Sequence, residues 1–244
     1  MEIWGRTDNG KVRRQNEDTF RTQVDEFRNV AVIVVCDGMG GARAGEVASK
    51  IAAETFMADF TENLAEQRDS KSVAEVITNA TLAANRAVFT ESVRDSSRLG
   101  MGTTLTALVS TSGGEIIANL GDSRAYHITL SGITQITKDH SVVEDMISKG
   151  DITRAEARKH PNKHLITRAL GTPEDDAPDV FILNLFRGDH ILLCSDGLSN
   201  VVMDSEMLFQ LQSGASVREC CEKLVETALS RGAPDNVTAV LFRK

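Results

Sequence analysis

Residues 30–41 read VAVIVVCDGMGG, and this stretch decides the fold. Its first seven residues are apolar without interruption, and four of them are valine. Such a β-branched run predicts a strand that is buried on both faces. The run ends at Asp37, and the glycines after it let the backbone turn sharply and approach whatever the carboxylate binds. Asp-Gly is also a common turn pair, so Asp37 by itself leaves the choice between a turn and a binding site open.

The composition indicates a globular protein that carries excess negative charge. The chain has 244 residues, of which 41% are hydrophobic and 25% charged, as in ordinary soluble domains. Its net charge of −8 comes from 35 acidic and 27 basic residues. This balance argues against a general nucleic-acid binder, which needs a basic face, and suits a protein that gathers carboxylates around cations.

The cysteines and the ends of the chain suggest a reducing compartment. No C-x-x-C pair occurs among Cys36, Cys194, Cys220 and Cys221, so neither a zinc site nor a redox dithiol is indicated. Buried free thiols in a reducing cytoplasm explain these cysteines best. Residues 1–8 show no signal-peptide pattern, and no apolar run approaches the length of a membrane span. We therefore expect a cytoplasmic location and no membrane segment in this chain.

The order of predicted elements indicates antiparallel sheets. Apolar residues at helical spacing predict two helices, over 44–56 and 73–88, after the first strands. Hairpins are predicted over 105–120, 123–137 and 181–194, the last turning at residues 187–189, before two more helices and a final strand. Adjacent strands with tight turns exclude alternating βαβ units. We predict an α+β fold, a four-layer αββα sandwich of two antiparallel β-sheets flanked by helix pairs.

The segment from about residue 138 to residue 173 differs from the rest of the chain. Short helical patterns at Ser141–Lys149 and Thr153–Lys159 surround a polar stretch that ends at His160-Pro161. This composition predicts an inserted flap rather than part of the core. We expect one domain over residues 1–244 that carries the flap at about 138–173.

Carboxylates recur where predicted strands begin or end. Three apolar runs end at an aspartate beside a glycine, another aspartate precedes the last strand, and an acidic pair begins an early strand. These residues are Asp37, Asp122, Asp196, Asp235, and the pair Glu17 and Asp18. Gathered carboxylates repel one another unless cations neutralise them, and oxygen ligands select Mg²⁺ or Mn²⁺ over zinc. Each aspartate taken singly could equally form a turn, and the residues alone do not prove that they meet.

Six segments resemble, in order, the motifs of the metal-dependent protein serine/threonine phosphatases of the PP2C (PPM) family, in their bacterial form. These are Arg13-x-x-Asn16-Glu17-Asp18, residues 35–41, Gly102-Thr103-Thr104, residues 119–124, residues 195–198 and Asp235-Asn236. The resemblance covers nearly the whole chain. It is specific because six weak motifs occur together at compatible spacing.

The resemblance implies a centre of two Mn²⁺ or Mg²⁺ ions. Asp37 is expected to bridge the two ions, and the backbone carbonyl of Gly38 is expected to bind one of them. Asp196 and Asp235 are expected to complete the ligands of the first ion.

Three further ligands and one phosphate-binding residue follow from the same resemblance. Glu17 and Asp18 are expected in or next to the shell of the second ion, and Asp122 at a third, weaker metal site. Arg13 is expected to bind the substrate phosphate, because its planar guanidinium can hold two phosphate oxygens at once.

The expected reaction is hydrolysis of phosphoserine and phosphothreonine by a hydroxide that bridges the two ions. The ions and Arg13 would stabilise the charge that spreads over the phosphoryl oxygens. Met39 stands where animal members carry a histidine proposed as the general acid, so the group that protonates the leaving oxygen is unassigned. His160 and His164, in the flap, are the two histidines to test for that role.

Other chemistries fit the residues less well. A cysteine phosphatase needs an arginine six positions after its cysteine, and no cysteine here has one. A pseudophosphatase, which binds phosphoproteins without turnover, is the alternative, but all the expected metal aspartates are present. The expected partners are phosphorylated proteins, including a Ser/Thr kinase and its substrates, and no nucleic acid. We expect a monomer.

Overall fold

The computed structural model describes residues 1–40, 44–64 and 69–244, so Gly41 lies outside the described residues. The strands are β1 Glu2–Asp8, β2 Asp18–Asp25, β3 Val30–Met39, β4 Gly102–Thr103, β5 Leu105–Thr111, β6 Gly114–Leu120, β7 Arg124–Thr129, β8 Gly132–Gln135, β9 Asp179–Leu183, β10 His190–Cys194 and β11 Val237–Arg243. The α-helices are α1 Ala44–Asn63, α2 Ser70–Arg94, α3 Val142–Lys149, α4 Arg154–Ala157, α5 Asp196–Ser199, α6 Asp204–Leu211 and α7 Val217–Ser230.

These strands form two antiparallel sheets. The first has the order β1-β11-β10-β7-β8, and the second has the order β2-β3-β5-β6-β9, with β4 paired to the end of β3. Helices α1 and α2 pack against the second sheet, whereas α5, α6 and α7 pack against the first. The predicted α+β class and αββα sandwich are confirmed.

Strand β3 is buried on both faces, as its apolar run predicts. Val32 and Val34 face the core beneath α1 and α2, whereas Ile33 and Val35 face the core between the two sheets. Both cores exclude water, so the strand is fixed from two sides. The end of β3 is therefore a rigid support for Asp37.

The helices follow from the sequence in a similar way. Small residues, among them Ala48 and Ala52, let α1 lie close to β3, and Asp69 caps α2 by accepting hydrogen bonds from the N–H groups of Lys71 and Ser72. Helix α7 begins with a capping box between Ser216 and Glu219. No helix among the described ranges combines the length and apolar character needed to cross a membrane.

The hairpin predicted over residues 181–194 is wrong. Strand β9 pairs with β6 in the second sheet, whereas β10 pairs with β7 and β11 in the first. The connection crosses between the sheets, and two carboxylates hold it: Glu115 accepts from Leu185 N at 3.1 Å, and Asp189 accepts from Phe186 N at 3.0 Å. Apolar alternation reveals a strand but not its partner, so proximity along the chain was misleading.

The segment at 138–173 contains α3, which begins one residue later than predicted, and α4, which is much shorter than the predicted Thr153–Lys159. Its two ends are joined by an isolated bridge between Ser141 and Ile166. A second bridge, between Thr103 and Leu170, attaches the C-terminal part of the segment to β4. The segment is therefore anchored beside the end of β3, where the predicted site residues lie.

Candidate metal centre

A cleft of about 530 Å³ opens where strands from both sheets end. Of the eight predicted site residues, seven line it: Arg13, Glu17, Asp37, Gly38, Asp122, Asp196 and Asp235. The eighth, Asp18, lies beneath the cleft and is 5% exposed. The tertiary structure thus brings together carboxylates that are separated by more than two hundred positions along the chain.

Two threonines that the sequence analysis left without a role hold Asp37. The N–H of Asp37 donates to Thr104 Oγ1 at 2.9 Å. Its carbonyl accepts from Thr104 N and from Thr103 Oγ1, both at 2.9 Å. The Gly-Thr-Thr segment at residues 102–104 therefore fixes the backbone that carries the central carboxylate.

Gly38 occupies a position that tolerates no side chain. A Cβ there would stand 2.1 Å from the carbonyl oxygen of Gly45 at the start of α1. The N–H of Gly38 donates to the carbonyl of Glu17 at 3.1 Å. Glycine is therefore required because helix α1 and the segment before β2 both approach this turn closely.

Asp18 supports the floor of the cleft. It stands opposite Asp37 in the β2–β3 register. Its Oδ2 accepts from Ser195 Oγ at 2.7 Å and from Thr238 Oγ1 at 2.6 Å. Its Oδ1 is buried and has no hydrogen-bond partner among the described residues. A buried carboxylate oxygen without a donor is costly, and a cation is one partner that would satisfy it.

Arg13 and Asp235 form an ion pair at the mouth of the cleft. Arg13 Nη2 lies 2.9 Å from Asp235 Oδ2, and the Arg13 side chain is about half exposed. Asn236 holds the loop that carries Arg13: its amide donates to the carbonyls of Asn9 and Gln15 at 3.1 and 2.8 Å. The spacing of residues along the sequence does not predict that Asn236 anchors this loop, although Asn236 belongs to the family motif Asp235-Asn236.

Asp196 begins α5, and Asn200 donates to its Oδ2 at 3.0 Å.

Asp122 follows Gly121, and two hydrogen bonds with His140 hold the backbone of Gly121. The ring Nδ1 of His140 accepts from Gly121 N at 3.1 Å, and the backbone N–H of His140 donates to Gly121 O at 2.9 Å. Of the two histidines singled out in the flap, His164 lines the cleft, whereas His160 is absent from its lining.

The carboxylates of the cleft disfavour one another's ionised form. Burial first, and then repulsion from neighbouring aspartates, raises the pKa of Asp37 well above its ordinary value. Burial likewise raises the pKa of Asp18 to about 7 and that of Asp122 to about 8. The pKa of Asp196 is raised by burial and by Asp235. This concentration of negative charge favours occupation by a divalent cation.

The predicted ligands fit a hard cation rather than zinc, because each side chain among them is a carboxylate. In residues 1–40, 44–64 and 69–244, no three His, Cys, Asp or Glu side chains form a compact group that could hold a metal by itself. Arg13 engages Asp235, and Asn200 engages Asp196. Backbone carbonyl and water oxygens would have to complete the coordination, as is usual for Mg²⁺.

Comparison with known proteins gives consistent matches. The sequence profile of the protein phosphatase 2C family matches residues 9–241. The serine/threonine phosphatase stp of Listeria welshimeri is 34% identical over 98% of this chain and 94% of its own length. The serine/threonine protein phosphatase PstP of Mycobacterium tuberculosis is 36% identical over 97% of this chain, which corresponds to 43% of PstP.

Solved structures agree with the sequence matches. The crystal structure of the serine/threonine phosphatase Stp1 from Staphylococcus aureus has a TM-score of 0.91, at 34% identity over 100% of this chain and 94% of that chain. The catalytic domain of PstP in complex with two manganese ions has a TM-score of 0.83, at 36% identity over 98% of this chain and 96% of that chain.

Proposed function

The chain belongs to the protein phosphatase 2C family of metal-dependent serine/threonine phosphatases, and from this premise we propose that it hydrolyses phosphoserine and phosphothreonine monoesters in proteins. One observation carries the proposal: five of the six predicted carboxylates and Arg13 line a single cleft, although they are spread over most of the length of the chain. The cleft is open to solvent and can admit a side chain of a protein substrate.

We propose that this cleft holds two Mn²⁺ or Mg²⁺ ions and, at Asp122, a third and weaker one. The residues that would hold the two ions are Asp37, the carbonyl of Gly38, Asp196 and Asp235, with Glu17 and Asp18 at or next to the second ion. When bound, such ions acidify a water molecule for attack on phosphorus and neutralise charge on the phosphoryl oxygens.

The residues of the chain would position the reactants around these ions. Arg13 engages Asp235 through one nitrogen, which leaves other N–H groups to donate to the phosphoryl oxygens. Thr104 keeps the backbone of Asp37 fixed. Asp18 braces the floor of the cleft through Ser195 and Thr238. Preorganised charges of this kind stabilise the transition state because they need no rearrangement during the reaction.

The partners and setting follow from the same proposal. The relatives named above are serine/threonine phosphatases, so we infer that the substrates are the targets of a Ser/Thr kinase and the kinase itself. We further propose that the protein acts as a monomer. The four cysteines are free and buried, in keeping with the reducing cytoplasm. A pseudophosphatase is less well supported, because no expected carboxylate is missing from the site.

The test is hydrolysis of a phosphothreonine peptide with Mn²⁺, with EDTA, and with Asp37→Asn or Asp235→Asn. We expect EDTA to abolish turnover and each substitution to lower kcat/KM by about a hundredfold or more. Asp145→Asn, on the exposed surface of α3, is the matched control and should retain full activity. Full activity in Asp37→Asn or Asp235→Asn, or undiminished turnover in EDTA, would contradict the two-ion mechanism.

A further inference from the structure

A second cleft, of about 510 Å³, lies beside the catalytic cleft, and we refer to it as the flap groove. It is bounded by α3 and α4 of the flap, by residues 135–139 at and after the end of β8, and by the end of α5. The two clefts share Asp122, Lys163, Asp196 and Asn200. A peptide whose phosphorylated residue enters the catalytic cleft can therefore continue into the flap groove.

Several charges in the walls of the groove are already engaged. Arg124 binds Asp139 through Nε at 2.9 Å and Nη2 at 2.6 Å, and Gln135 donates to the same carboxylate at 3.0 Å. Arg154 approaches the buried Glu144 with both terminal nitrogens, at 3.3 and 3.4 Å. These pairs are satisfied within the wall and leave little charge to recognise a ligand.

The remaining charge in the groove is mostly positive. Lys138, Arg158 and Lys163 line the groove and form no ion pair with any residue that the structure describes. Asp204 is the acid left without an ion pair, once Asp122 and Asp196 are assigned to cations. In a protein with a net charge of −8, this local excess of cations next to a phosphate site would attract anions.

Lys163 connects the two clefts. Its N–H donates to the carbonyl of His160 at 3.2 Å, and two residues later Leu165 accepts from Val142 N at 2.9 Å. The backbone around Lys163 is thus attached to the start of α3, and its partly buried side chain lines both clefts. Arg158, at the end of α4, lines only the flap groove.

We propose that the flap groove binds an anionic side chain, a carboxylate or a second phosphate, located near the phosphoserine or phosphothreonine that is hydrolysed. The proposal rests on the proposed function and defines its substrate class as acidic phosphopeptides. The recognition is electrostatic, through Arg158 and Lys138 at the groove and Lys163 at its junction with the catalytic cleft. Because these cations are exposed or only partly buried, the expected preference is modest, about three- to tenfold for each added anionic group.

The experiment compares phosphothreonine peptides that differ at one neighbouring position, which carries Glu, Gln, Lys or a second phosphoserine. The position is moved along both sides of the phosphothreonine. We expect kcat/KM to favour the anionic peptides at one or more positions, mainly through KM, and to favour them less at high salt. The Glu and phosphoserine arms separate recognition of a carboxylate from recognition of a phosphate.

The variant Arg158→Glu tests whether the flap groove causes the preference for anionic peptides. It should lower the ratio of kcat/KM for the Glu peptide to that for the Gln peptide by about tenfold, whereas Lys159→Glu should leave the ratio as in the wild type. Lys159 is the matched control because it is exposed, adjacent and outside the groove lining. A wild-type ratio near one at every position, or an equal fall in both variants, would overturn the proposal.

The experiment distinguishes a failure of the groove proposal from a failure of the proposed function. Hydrolysis of the Gln and Glu peptides at equal rates refutes the groove and leaves the phosphatase activity intact. If neither peptide is hydrolysed, the proposed function fails, and fluorescence anisotropy of the labelled peptides tests the groove. Tighter binding of the Glu peptide that Arg158→Glu removes would then support the groove, and equal binding would refute it.

Discussion

Asp18 shows how the environment of a single buried carboxylate can favour a nearby cation. Its carboxylate is 5% exposed, and Ser195 and Thr238 bond only Oδ2, so Oδ1 has no partner among the described residues. Burial, opposed by these two hydrogen bonds and assisted by neighbouring aspartates, raises its pKa from 3.8 to about 7. At neutral pH, and without a nearby cation, Asp18 is therefore a mixture of its charged and neutral forms.

A prediction about pH follows at this scale. Because the folded-state pKa of Asp18 exceeds the unfolded value of 3.8, the folded protein binds more protons between pH 3.8 and about 7. The free energy of unfolding of the metal-free protein should therefore fall as the pH rises through this window. We expect the Tm in EDTA to be several degrees lower at about pH 8 than at about pH 5, and Mn²⁺ to reduce the difference.

The variant Asp18→Asn provides the control for this prediction. Its amide oxygen can still accept from Ser195 and Thr238, but the side chain no longer ionises. In EDTA the difference in Tm between the two pH values should be smaller in this variant than in the wild type. A wild-type Tm that is flat or rises with pH in EDTA contradicts the prediction.

At the scale of elements, the site is built from strand ends that are fixed on several sides. Strand β3 pairs with β2 and β5 along its length and with β4 at its end. The junction of β4 and β5 carries Thr104, whose Oγ1 accepts from Asp37 N and lies 2.8 Å from Ser123 Oγ. A hydroxyl on one strand thus connects the carboxylate turn of β3 to the β6–β7 turn that carries Asp122.

Replacing that hydroxyl should weaken both stability and catalysis. Thr104→Val preserves shape but leaves the Asp37 N–H without its acceptor, which costs about 1–3 kcal/mol in a buried setting. We expect the Tm to fall by about 3–8 °C and kcat for a phosphopeptide to fall by about tenfold. Thermal unfolding and steady-state kinetics measure the two effects.

The matched control for Thr104→Val is Thr227→Val on α7. The hydroxyl of Thr227 is exposed and donates only to the carbonyl of Lys223 in its own helix. This substitution should leave both Tm and kcat close to the wild-type values. Equal effects of the two substitutions on kcat would show that Thr104 has no special role at the site.

At the scale of the whole molecule, an ion pair between a buried glutamate and a partly exposed lysine joins the two sheets. Glu115 on β6 is fully buried, and its Oε1 lies 2.7 Å from Lys244 Nζ, beyond the end of β11. The same carboxylate accepts from Ser110 Oγ and from Leu185 N, on the crossing between β9 and β10. The ion pair therefore connects β6, an inner strand of the second sheet, to the residue that follows β11 of the first sheet.

Removing the lysine should destabilise the protein globally. Lys244→Ala leaves Glu115 buried without its counter-charge, and we expect a loss of about 1–3 kcal/mol because Lys244 is itself partly exposed. In the double variant with Glu115→Gln, the loss should be smaller than the sum of the two single losses. Denaturant unfolding of the wild type, the two single variants and the double variant measures this coupling energy. Strictly additive losses would show that the ion pair contributes no coupling energy.

Much of the fold could be predicted because local patterns determine local elements. The apolar run at 30–36 predicted β3 with both faces buried, and β2 has the predicted bounds, Asp18–Asp25. The hairpin predicted over residues 181–194 failed, because each of its strands pairs with strands elsewhere in the sequence. Strand pairing is a long-range choice, which alternation of apolar residues does not encode.

The same division holds for the site. The sequence predicted which carboxylates stand at strand ends, and the family motifs gave each of them an expected role. Thr104, Ser195 and Asn236 act as hydrogen-bond supports, and their contacts have no characteristic spacing along the chain. Short polar side chains are common in turns for local reasons, so spacing does not separate a support from a turn-former, and only membership of the family motifs singled these three residues out.

The sequence by itself determined the buried strand, the turn with Asp37 at its end, the acidic balance and the family. Only the tertiary structure decided that Asp18 lies beneath the cleft, hydrogen-bonded to Thr238 across 220 positions, and that the flap borders a second groove, which Arg158 and Lys163 line. The physical reason is the range of the forces. Backbone conformation and side-chain periodicity act over a few residues, whereas sheet order and burial place distant charges together only when the whole chain has packed.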